Sequence, residues 1–304
     1  MPTATESPFL TTKGSAMAAD GKATPRPQII PGARRLENVP WWLLILILAG
    51  LLLVFSVFTS ERYQDAFRFL IAGVEMTIFL TLVSFALSVI LGLLAGLGRV
   101  SRNQVIYTIA TLYVEVIRGV PLLVQLIYWA FVVTPAIVSA LNALGQFILS
   151  YLAYEPLLGL AYSLSSLSIQ NVDMTGRCIA GLAFGYGAYE AEIFRAGIQS
   201  IPKGQMEAAR SLGMSHYQAM RHIILPQAIR VVLPPLGNDF VAMLKDTSLV
   251  SALAVRELTQ LGKLYRGRTF RSFETWNTVS FIYLSMTIVL SLLVRSLERR
   301  MRTE

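Results

Sequence analysis

Two groups of polar side chains lie inside apolar stretches of this sequence, where charge is costly. They are Glu190, Glu192 and Arg195 in the first stretch and Asn238, Asp239, Lys245 and Asp246 in the second. Charged side chains in such stretches usually face the interior of a helix bundle or a wet cavity. Together these residues offer acceptors for a cationic group and donors for an anionic group of a polar solute. Arg195 and Lys245 are the candidate donors.

The alternative interpretation is that these groups only order the protein. Glu192 and Arg195 are three residues apart, so they can form an ion pair on one face of a helix. The residues of the second group can form a buried Lys–Asp network. Glu190 and Glu192 are two residues apart and point to different faces, which excludes a local carboxylate dyad for acid–base catalysis. The sequence leaves both roles open.

Long uncharged runs dominate the 304 residues, of which 54% are hydrophobic and only 14% are charged. Three of these runs cover residues 38–60, 76–98 and 275–294, and each is long enough to cross about 30 Å of hydrocarbon as a helix. The composition excludes a chain that is disordered or collagen-like as a whole. The single cysteine, Cys178, excludes an intramolecular disulfide. We therefore predict an all-α, polytopic membrane helix bundle.

Six membrane spans are predicted, and the basic residues set their direction. The spans lie near residues 39–59, 73–98, 110–134, 178–199, 231–254 and 275–297. With a cytoplasmic N-terminus, 15 of the 26 Lys and Arg residues fall in cytoplasmic segments and 8 in external ones, as the positive-inside rule requires. Residues 255–274 are the exception, because five basic residues lie there on the external side. Both termini are predicted to be cytoplasmic, and residues 1–38 are predicted to form a disordered cytoplasmic tail.

The run from Gly119 to Tyr154 leaves the topology open. It contains 36 uncharged residues, which is more than one span requires. Residues 136–153 form either an interfacial helix on the outer face or an additional crossing. Pro135 and Pro156 favour broken helices that lie on the surface.

Pairs of glycines predict where helices approach each other closely. Gly92 and Gly96 form a GxxxG pair in the second span, and Gly181 and Gly185 form another in the fourth. In lipid, such pairs let two helix backbones pack tightly. The alternative is chance, because glycine is common in membrane helices.

The segment 199–230 is too charged to lie in lipid, and it carries helix signals of its own. Residues 206–212 are good helix formers, and Gly213 supplies a turn after them. Ser215 caps a second helix, which Pro226 ends. We therefore predict two short helices on the cytoplasmic surface.

The first of these short helices has a face of small side chains. Ala208 and Ala209 share this face with Leu212 by their three- and four-residue spacing, so a groove on another protein can approach closely. Glu207 is the candidate contact residue. Its alternative role is to complement the helix dipole at the N-terminus.

The same segment resembles the EAA loop of binding-protein-dependent ABC importer permeases. The matching positions, with the spacing of the family, are Glu207, Ala208, Ala209, Gly213, Ile223, Leu225 and Pro226. The runs at 187–195, 225–228 and 245–249 resemble the polar amino-acid subfamily, whose members carry histidine, glutamate, glutamine, arginine or opines. In that family the loop is the coupling helix, which docks into a groove on the ATP-hydrolysing subunit.

This resemblance implies a permease core of five spans at 70–297, with its coupling loop at 199–230. An extra N-terminal span at 39–59 precedes the core, and a cytoplasmic tail at 298–304 follows it. The partners implied are ABC ATPase subunits, a second permease subunit that is identical or paralogous, an external solute-binding protein and a polar amino-acid substrate. The implied location is the cell inner membrane. The extra span and the long external segment at 135–177 depart from the family pattern.

No nucleotide or metal site is predicted on the chain itself. A P-loop needs GxxxxGK[ST], and the Gly-Lys pairs at 21–22 and 262–263 do not have this pattern. His216 and His222 are six residues apart, whereas ligands on one helix are three or four apart. We therefore expect no cofactor, no nucleic acid and no enzymatic activity on this chain, and we place ATP and Mg²⁺ on the partner ATPase.

A self-sufficient secondary carrier or channel for amino acids is the alternative function. It would predict an inverted internal repeat, and the two halves of this sequence share no motif. A third hypothesis, an enzyme that acts on lipid, requires a convergent set of nucleophile or metal-binding residues, and the sequence offers none.

Overall fold

The computed structural model describes residues 41–152 and 155–302, and these residues contain only helices and turns. The α-helices are α1 (Trp41–Thr59), α2 (Glu61–Leu70), α3 (Ala72–Arg99), α4 (Gln104–Arg118), α5 (Leu122–Tyr128), α6 (Thr134–Phe147), α7 (Glu155–Ser165), α8 (Met174–Gln199), α9 (Lys203–Ser211), α10 (His216–Ala219), α11 (Leu225–Asp246), α12 (Leu258–Thr269) and α13 (Ser272–Arg302). The described residues up to Leu48 and those from Ala49 onward belong to two separate units, and the packing below concerns the second. The predicted tail at 1–38 lies outside the described residues.

Helices α3 and α8 form the parallel pair at the centre of the bundle. A Cβ atom at Gly92 would lie 2.7 Å from the Cβ of Glu190, and one at Gly96 would lie 2.8 Å from the carbonyl oxygen of Ala191. Both glycines are therefore needed for the two helices to touch. The contacts advance in the same direction along both helices, so the helices run parallel. The predicted close packing at this GxxxG pair is confirmed.

The second glycine pair lies on another face of α8, where α5 packs in the opposite direction. A Cβ at Gly185 would lie 2.7 Å from the side chain of Leu122, and one at Gly181 would lie 3.0 Å from that of Leu126. Cys178 belongs to the buried core formed there. Close packing at this pair is confirmed as well.

The predicted bounds of the third span, 110–134, are wrong. Helix α4 ends and the chain turns through residues 119–121 before α5 begins. The side chain of Gln125 stabilises this turn, because its Nε2 donates to the carbonyl oxygens of Ile117 and Val120 at 2.7 and 2.8 Å. The proline before α5 also disfavours a helical conformation for the residue that precedes it.

Two prolines that the sequence places at helix ends lie inside continuous helices. A π-helical turn at Trp129–Val133 precedes Pro135, and another at Met220–Ile224 precedes Pro226. The wider hydrogen-bond pattern of a π turn relieves the clash of the proline ring with the preceding turn, and proline has no N–H to donate. The predicted break at Pro135 and the predicted helix end at Pro226 are therefore wrong.

Among residues 41–152 and 155–302, three helical stretches are long and apolar enough to cross a membrane. They are Glu61–Arg99, Leu122–Tyr151 and Ser272–Arg299, and Leu44–Thr59 is a shorter apolar helix. The second of these runs through most of residues 136–153, so this region continues the helix of α5. The predicted number of six spans stays a prediction.

The later helices differ from their predicted bounds. The predicted fifth span, 231–254, corresponds to α11, which begins at Leu225 and ends at Asp246, and the chain then forms a 3₁₀ helix. The last helix continues to Arg302, so the described part of the predicted tail at 298–304 is helical.

The segment that follows α8 lies at one end of the parallel α3–α8 pair, and residues 255–274 lie at the other end. At the C-terminal end of α3, Arg99 pairs with Glu192 at 2.8 Å. At the N-terminal end, a Cβ on Gly73 would lie 2.7 Å from the Cα of Leu258. The predicted topology requires this arrangement, since it places the two segments on opposite sides of the membrane.

Candidate functional site

Helix α9, which carries three of the seven predicted coupling residues, ends in a Schellman turn built on Gly213. The backbone N–H of Gly213 donates to Arg210 at 3.0 Å, and that of Met214 donates to Ala209 at 3.2 Å. Gly213 has a φ of 83°, a conformation that costs other residues roughly 1–2 kcal/mol. The predicted turn at Gly213 is confirmed.

The helix after this turn begins with a capping box. The hydroxyl of Ser215 accepts from the backbone N–H of Gln218, and the Gln218 side chain accepts from the backbone N–H of Ser215. The predicted cap is confirmed. The helix is not short, however, because α10, the π turn and α11 follow one another without interruption from His216 to Asp246. One helix therefore connects the exposed turn to the second group of polar residues.

The two neighbouring alanines of α9 point in different directions. Ala209 is only 4% exposed and lies in the buried layer that also contains Ala219 and Ile224. Ala208 is exposed, and Leu212 is 84% exposed. The predicted partner-facing surface of small side chains is therefore wrong for Ala209, because successive residues of a helix lie about 100° apart.

The exposed face combines one carboxylate with basic and apolar side chains. Within the described chain, the Glu207 side chain forms no hydrogen bond or ion pair. The exposed basic residues of the segment 199–230 are Lys203, Arg210, Arg221 and Arg230. Leu212 belongs to the predicted face, whereas Tyr217, which is 68% exposed, is not among the predicted residues. Its signal in the sequence is a large apolar side chain that follows a glycine turn in a polar segment.

The remaining predicted coupling residues lie in the π turn and at the start of α11. Leu225 and Pro226 are exposed, and Ile223 is half-buried. The structure therefore brings Glu207, Ala208 and these residues to the surface of one short segment.

An ion network closes the end of the bundle from which this segment extends. Glu192 pairs with Arg195, as predicted, and also with Arg99 at 2.8 Å. Arg99 reaches Glu115 on α4 at 3.1 Å, so the network joins α3, α4 and α8. The sequence analysis missed Arg99 and Glu115, because no local pattern shows that these helices meet.

Glu190 is fully buried between α8 and α3. Its Oε1 accepts from the hydroxyl of Ser88 at 2.8 Å, whereas its Oε2 has no hydrogen-bond partner among the described residues. Asp239 on α11 likewise has a buried carboxylate oxygen, Oδ2, without a hydrogen-bond partner among the described residues. One turn back on α8, Tyr186 donates to Asp246 at 2.7 Å. These residues form an acidic interior cluster on three helices.

Asn238 and Lys245 lie apart from the interior cluster. Both are exposed, and both line a cleft of about 310 Å³ between α11 and α13. Its other polar lining residues are Ser291, Arg295 and Glu298. The interpretation of a buried Lys–Asp network is wrong, because Lys245 is exposed.

The residues that bind metals most often do not converge in the part of the chain that is described. No group of three or more His, Cys, Asp and Glu side chains there is placed to hold a metal ion. His216 and His222 are both exposed on the surface segment.

A helical bundle with membrane-length apolar helices, buried carboxylates and a capped polar surface segment defines a membrane transport component. Residues 88–303 match the family described as the binding-protein-dependent transport system inner membrane component, and the chain belongs to this family.

Similar proteins of this type are known from several bacteria. The glutamine transport system permease protein GlnP of Escherichia coli K12 is 35% identical over 245 residues, which cover 81% of this chain and 98% of that protein. The arginine transport system permease protein ArgU of Corynebacterium glutamicum is 34% identical over 77% of this chain and 70% of its own length. The L-cystine transport system permease protein TcyB of Bacillus subtilis is 35% identical over 78% and 88%.

Solved structures show the same fold. A crystal structure of an amino acid ABC transporter with histidines has a TM-score of 0.61 and 35% identity, covering 80% of this chain and 97% of that chain. The MetNI methionine ABC transporter in an inward-facing conformation has a TM-score of 0.55 at 20% identity, covering 77% and 96%.

Family membership confirms three predictions from the sequence. The chain has the all-α fold of an ABC importer permease, it is a transport component of a membrane, and it is not an enzyme. Systems of this family work with ATPase subunits and a substrate-binding protein. The alternative of a self-sufficient carrier is therefore set aside.

Proposed function

We propose that this chain is the permease subunit of an ATP-driven importer for a polar amino acid, and that its segment 199–230 binds the ATPase. The observation that carries the proposal is the single helix from His216 to Asp246. It joins the exposed surface around Glu207 and Gly213 to the interior of the bundle, so a displacement of the surface segment moves interior side chains.

The coupling surface consists of Glu207, Ala208, Gly213, Ile223, Leu225 and Pro226. Glu207 and Ala208 contact the ATPase directly, whereas Ala209 holds α9 against the layer beneath it. Gly213 sets the direction of the turn. Energy from ATP reaches the chain only if the ATPase binds this surface differently in its open and closed states. That difference drives alternating access of the substrate path.

The substrate is a polar amino acid. The relatives named above are transport proteins for glutamine, arginine and cystine, and the similar solved transporter contains histidines. Glu190, Asp239 and Asp246 provide acceptors for the ammonium group inside the bundle. Asn238 and Lys245 line the neighbouring cleft, where Lys245 is a donor for the carboxylate.

Glu192 and Arg195 contribute to the substrate path by closing one end of it. Their network with Arg99 joins three helices at the end that carries segment 199–230. It closes this end while the path is open to the opposite side, and its rearrangement accompanies release of the amino acid.

The proposed arrangement places both termini in the cytoplasm of a cell with this chain in its inner membrane. Residues 70–297 form the permease domain, residues 39–59 form an accessory span, and residues 1–38 and 298–304 are cytoplasmic. A second permease subunit completes the path. ATP and Mg²⁺ bind to the ATPase subunits, and an external solute-binding protein delivers the substrate.

The test uses the complete transporter in proteoliposomes with its binding protein. Glu207→Ala lowers uptake of the amino acid and the stimulation of ATP hydrolysis by loaded binding protein, and it leaves binding of that protein intact. Glu61→Ala, which removes an exposed carboxylate on α2 at the other end of the bundle, is the matched control. Uptake by Glu207→Ala equal to that of the control would contradict the coupling role.

A second measurement tests the orientation. In a Cys178→Ala background, Ser211→Cys is labelled by a membrane-impermeant maleimide only after the cytoplasmic side is opened. Labelling from the exterior of intact cells would place the segment on the wrong side for an ATPase.

A further inference from the structure

A cleft of about 580 Å³ opens beside the N-terminal end of α3 and contains one acid and one base. Glu75 and Arg256 line it, together with the apolar side chains of Ile78, Phe79 and Leu82. Both charged residues are exposed. Neither forms a hydrogen bond or an ion pair with a protein group in the part of the chain that is described.

The charges and the apolar residues of this cleft lie at different depths. Glu75 is in the first turn of α3, inside a helical stretch that is long and apolar enough to cross a membrane. Ile78 and Leu82 follow three and seven residues later, which is roughly 5–11 Å further along the axis at 1.5 Å per residue. With a membrane span that begins near residue 73, as the sequence predicts, the two charges lie at the level of lipid headgroups and the apolar residues lie at the level of the acyl chains.

A second cleft adjoins the first. It has a volume of about 380 Å³ and shares Ile78 and Leu82 with the first. Phe240 of α11 and Met286 and Val289 of α13 form its walls. Its two hydroxyl groups donate to backbone carbonyls of their own helices, so the second cleft offers a ligand only apolar contacts.

We propose that the combined cleft binds one molecule of phosphatidylethanolamine. The guanidinium of Arg256 contacts the phosphate, which is the anion that it binds best, and the carboxylate of Glu75 accepts a hydrogen bond from the ammonium group. One acyl chain follows the apolar walls between α3, α11 and α13. Charge complementarity selects this lipid, because phosphatidylglycerol has no cation for Glu75 and phosphatidylcholine has no N–H group to donate.

The leaflet follows from the topology proposed above, which makes this the external leaflet. The chemistry of the cleft does not depend on that topology or on the coupling role of segment 199–230. A failure of the lipid proposal therefore leaves the transport proposal untouched.

Native mass spectrometry of the purified permease–ATPase complex tests the proposal. The complex is exchanged into defined mixtures of phosphatidylethanolamine, phosphatidylglycerol and phosphatidylcholine, and the retained lipids are counted. Glu75→Gln and Arg256→Gln each reduce retention of phosphatidylethanolamine by about threefold to fivefold, as expected for ion pairs between exposed charges. The charge exchange Glu75→Arg with Arg256→Glu restores part of it.

Two control variants neutralise charges at the same end of the bundle outside the cleft. Glu61→Gln and Arg266→Gln retain phosphatidylethanolamine as the wild-type complex does. Equal retention of the three lipids by the wild type, or equal effects of the control and cleft variants, would overturn the proposal.

Photo-crosslinking identifies the occupant of the apolar part. Phe79→benzoylphenylalanine in the complete complex forms an adduct with the mass of a phospholipid. An adduct with a second permease chain would show that protein covers the cleft. Displacement of the bound lipid by millimolar free glutamine would show an amino-acid site. Either result contradicts the lipid assignment.

Discussion

The α3–α8 pair and the segment 199–230 differ in how the hydrogen bonds of their polar groups are satisfied. In the pair, glycines bring two backbones into contact, and buried polar groups such as Glu190 and Ser88 bond to each other. In the segment, the caps at Gly213 and Ser215 satisfy the backbone locally, and the Glu207 side chain stays available. The first region therefore maintains the fold, and the second is built to be bound by something else.

This comparison predicts that changes in the pair unfold the protein, whereas changes in the segment stop transport without unfolding it. The following variants test it, in order of their expected effect on the free energy of unfolding.

Gly96→Leu should have the largest effect on stability. A side chain at this position meets the backbone of Ala191 at 2.8 Å, and overpacking costs up to about 3 kcal/mol. Thermal unfolding of the purified permease, followed by size-exclusion chromatography, measures the loss. Gly159→Leu is the control, because a Cβ there has no neighbour within 4 Å. Equal melting temperatures for the two variants would show that α3 and α8 do not pack closely at Gly96.

Glu192→Gln should be the next most damaging. It removes the charge that holds Arg99 and Arg195, and hydrogen bonds between charged groups contribute about 2 kcal/mol. Glu115→Gln is the matched control, because that carboxylate is 63% exposed and contributes less than about 1 kcal/mol. The same thermal assay compares them. A larger effect of the control would show that Glu192 is not the centre of the network.

Gly213→Val separates stability from function most clearly. The positive φ of this residue costs a side chain about 1–2 kcal/mol, which the bundle tolerates, but the turn no longer directs α9 toward its partner. Uptake in proteoliposomes should be lost while the complex remains folded. Gly204→Ala, in open space on the same helix, should transport normally. Full uptake by Gly213→Val would show that the turn geometry does not matter.

Pro226→Ala should have the smallest effect on stability. The helix already continues through this residue because of the preceding π turn, so the unfolding free energy should change by less than about 0.5 kcal/mol. Pro121→Ala is the contrasting variant, since Pro121 lies in the turn that separates α4 from α5. Circular dichroism that shows added helix in Pro226→Ala would mean that this proline ends a helix after all.

The sequence predicts features that depend on neighbours along the chain. The glycine pairs, the turn at Gly213, the cap at Ser215 and the Glu192–Arg195 pair all follow from short spacings, and the structure contains each of them. The partners of Glu190 and Arg99 lie on other helices, about a hundred positions away in the chain. No local pattern indicates which helices meet, so these contacts are not predictable without the packing.

The predictions at Pro135 and Pro226 are wrong for a different reason. A proline removes one donor and crowds the turn before it, which usually ends a helix. Pro135 and Pro226 each follow a π turn that widens the helix just upstream, and short-range rules do not include this alternative. Helix bounds near these prolines therefore differ from the predicted ones.

The unbroken helix from His216 to Asp246 fixes the direction in which its interior side chains point relative to the exposed residues near its start. One residue added within it would rotate every later side chain by about 100°, which would turn Asp239 away from Glu190. The π turn at Met220–Ile224 is itself a place where one additional residue per turn is absorbed. An added residue in the helix from His216 to Asp246 is therefore tolerated only where such a widened turn accommodates it.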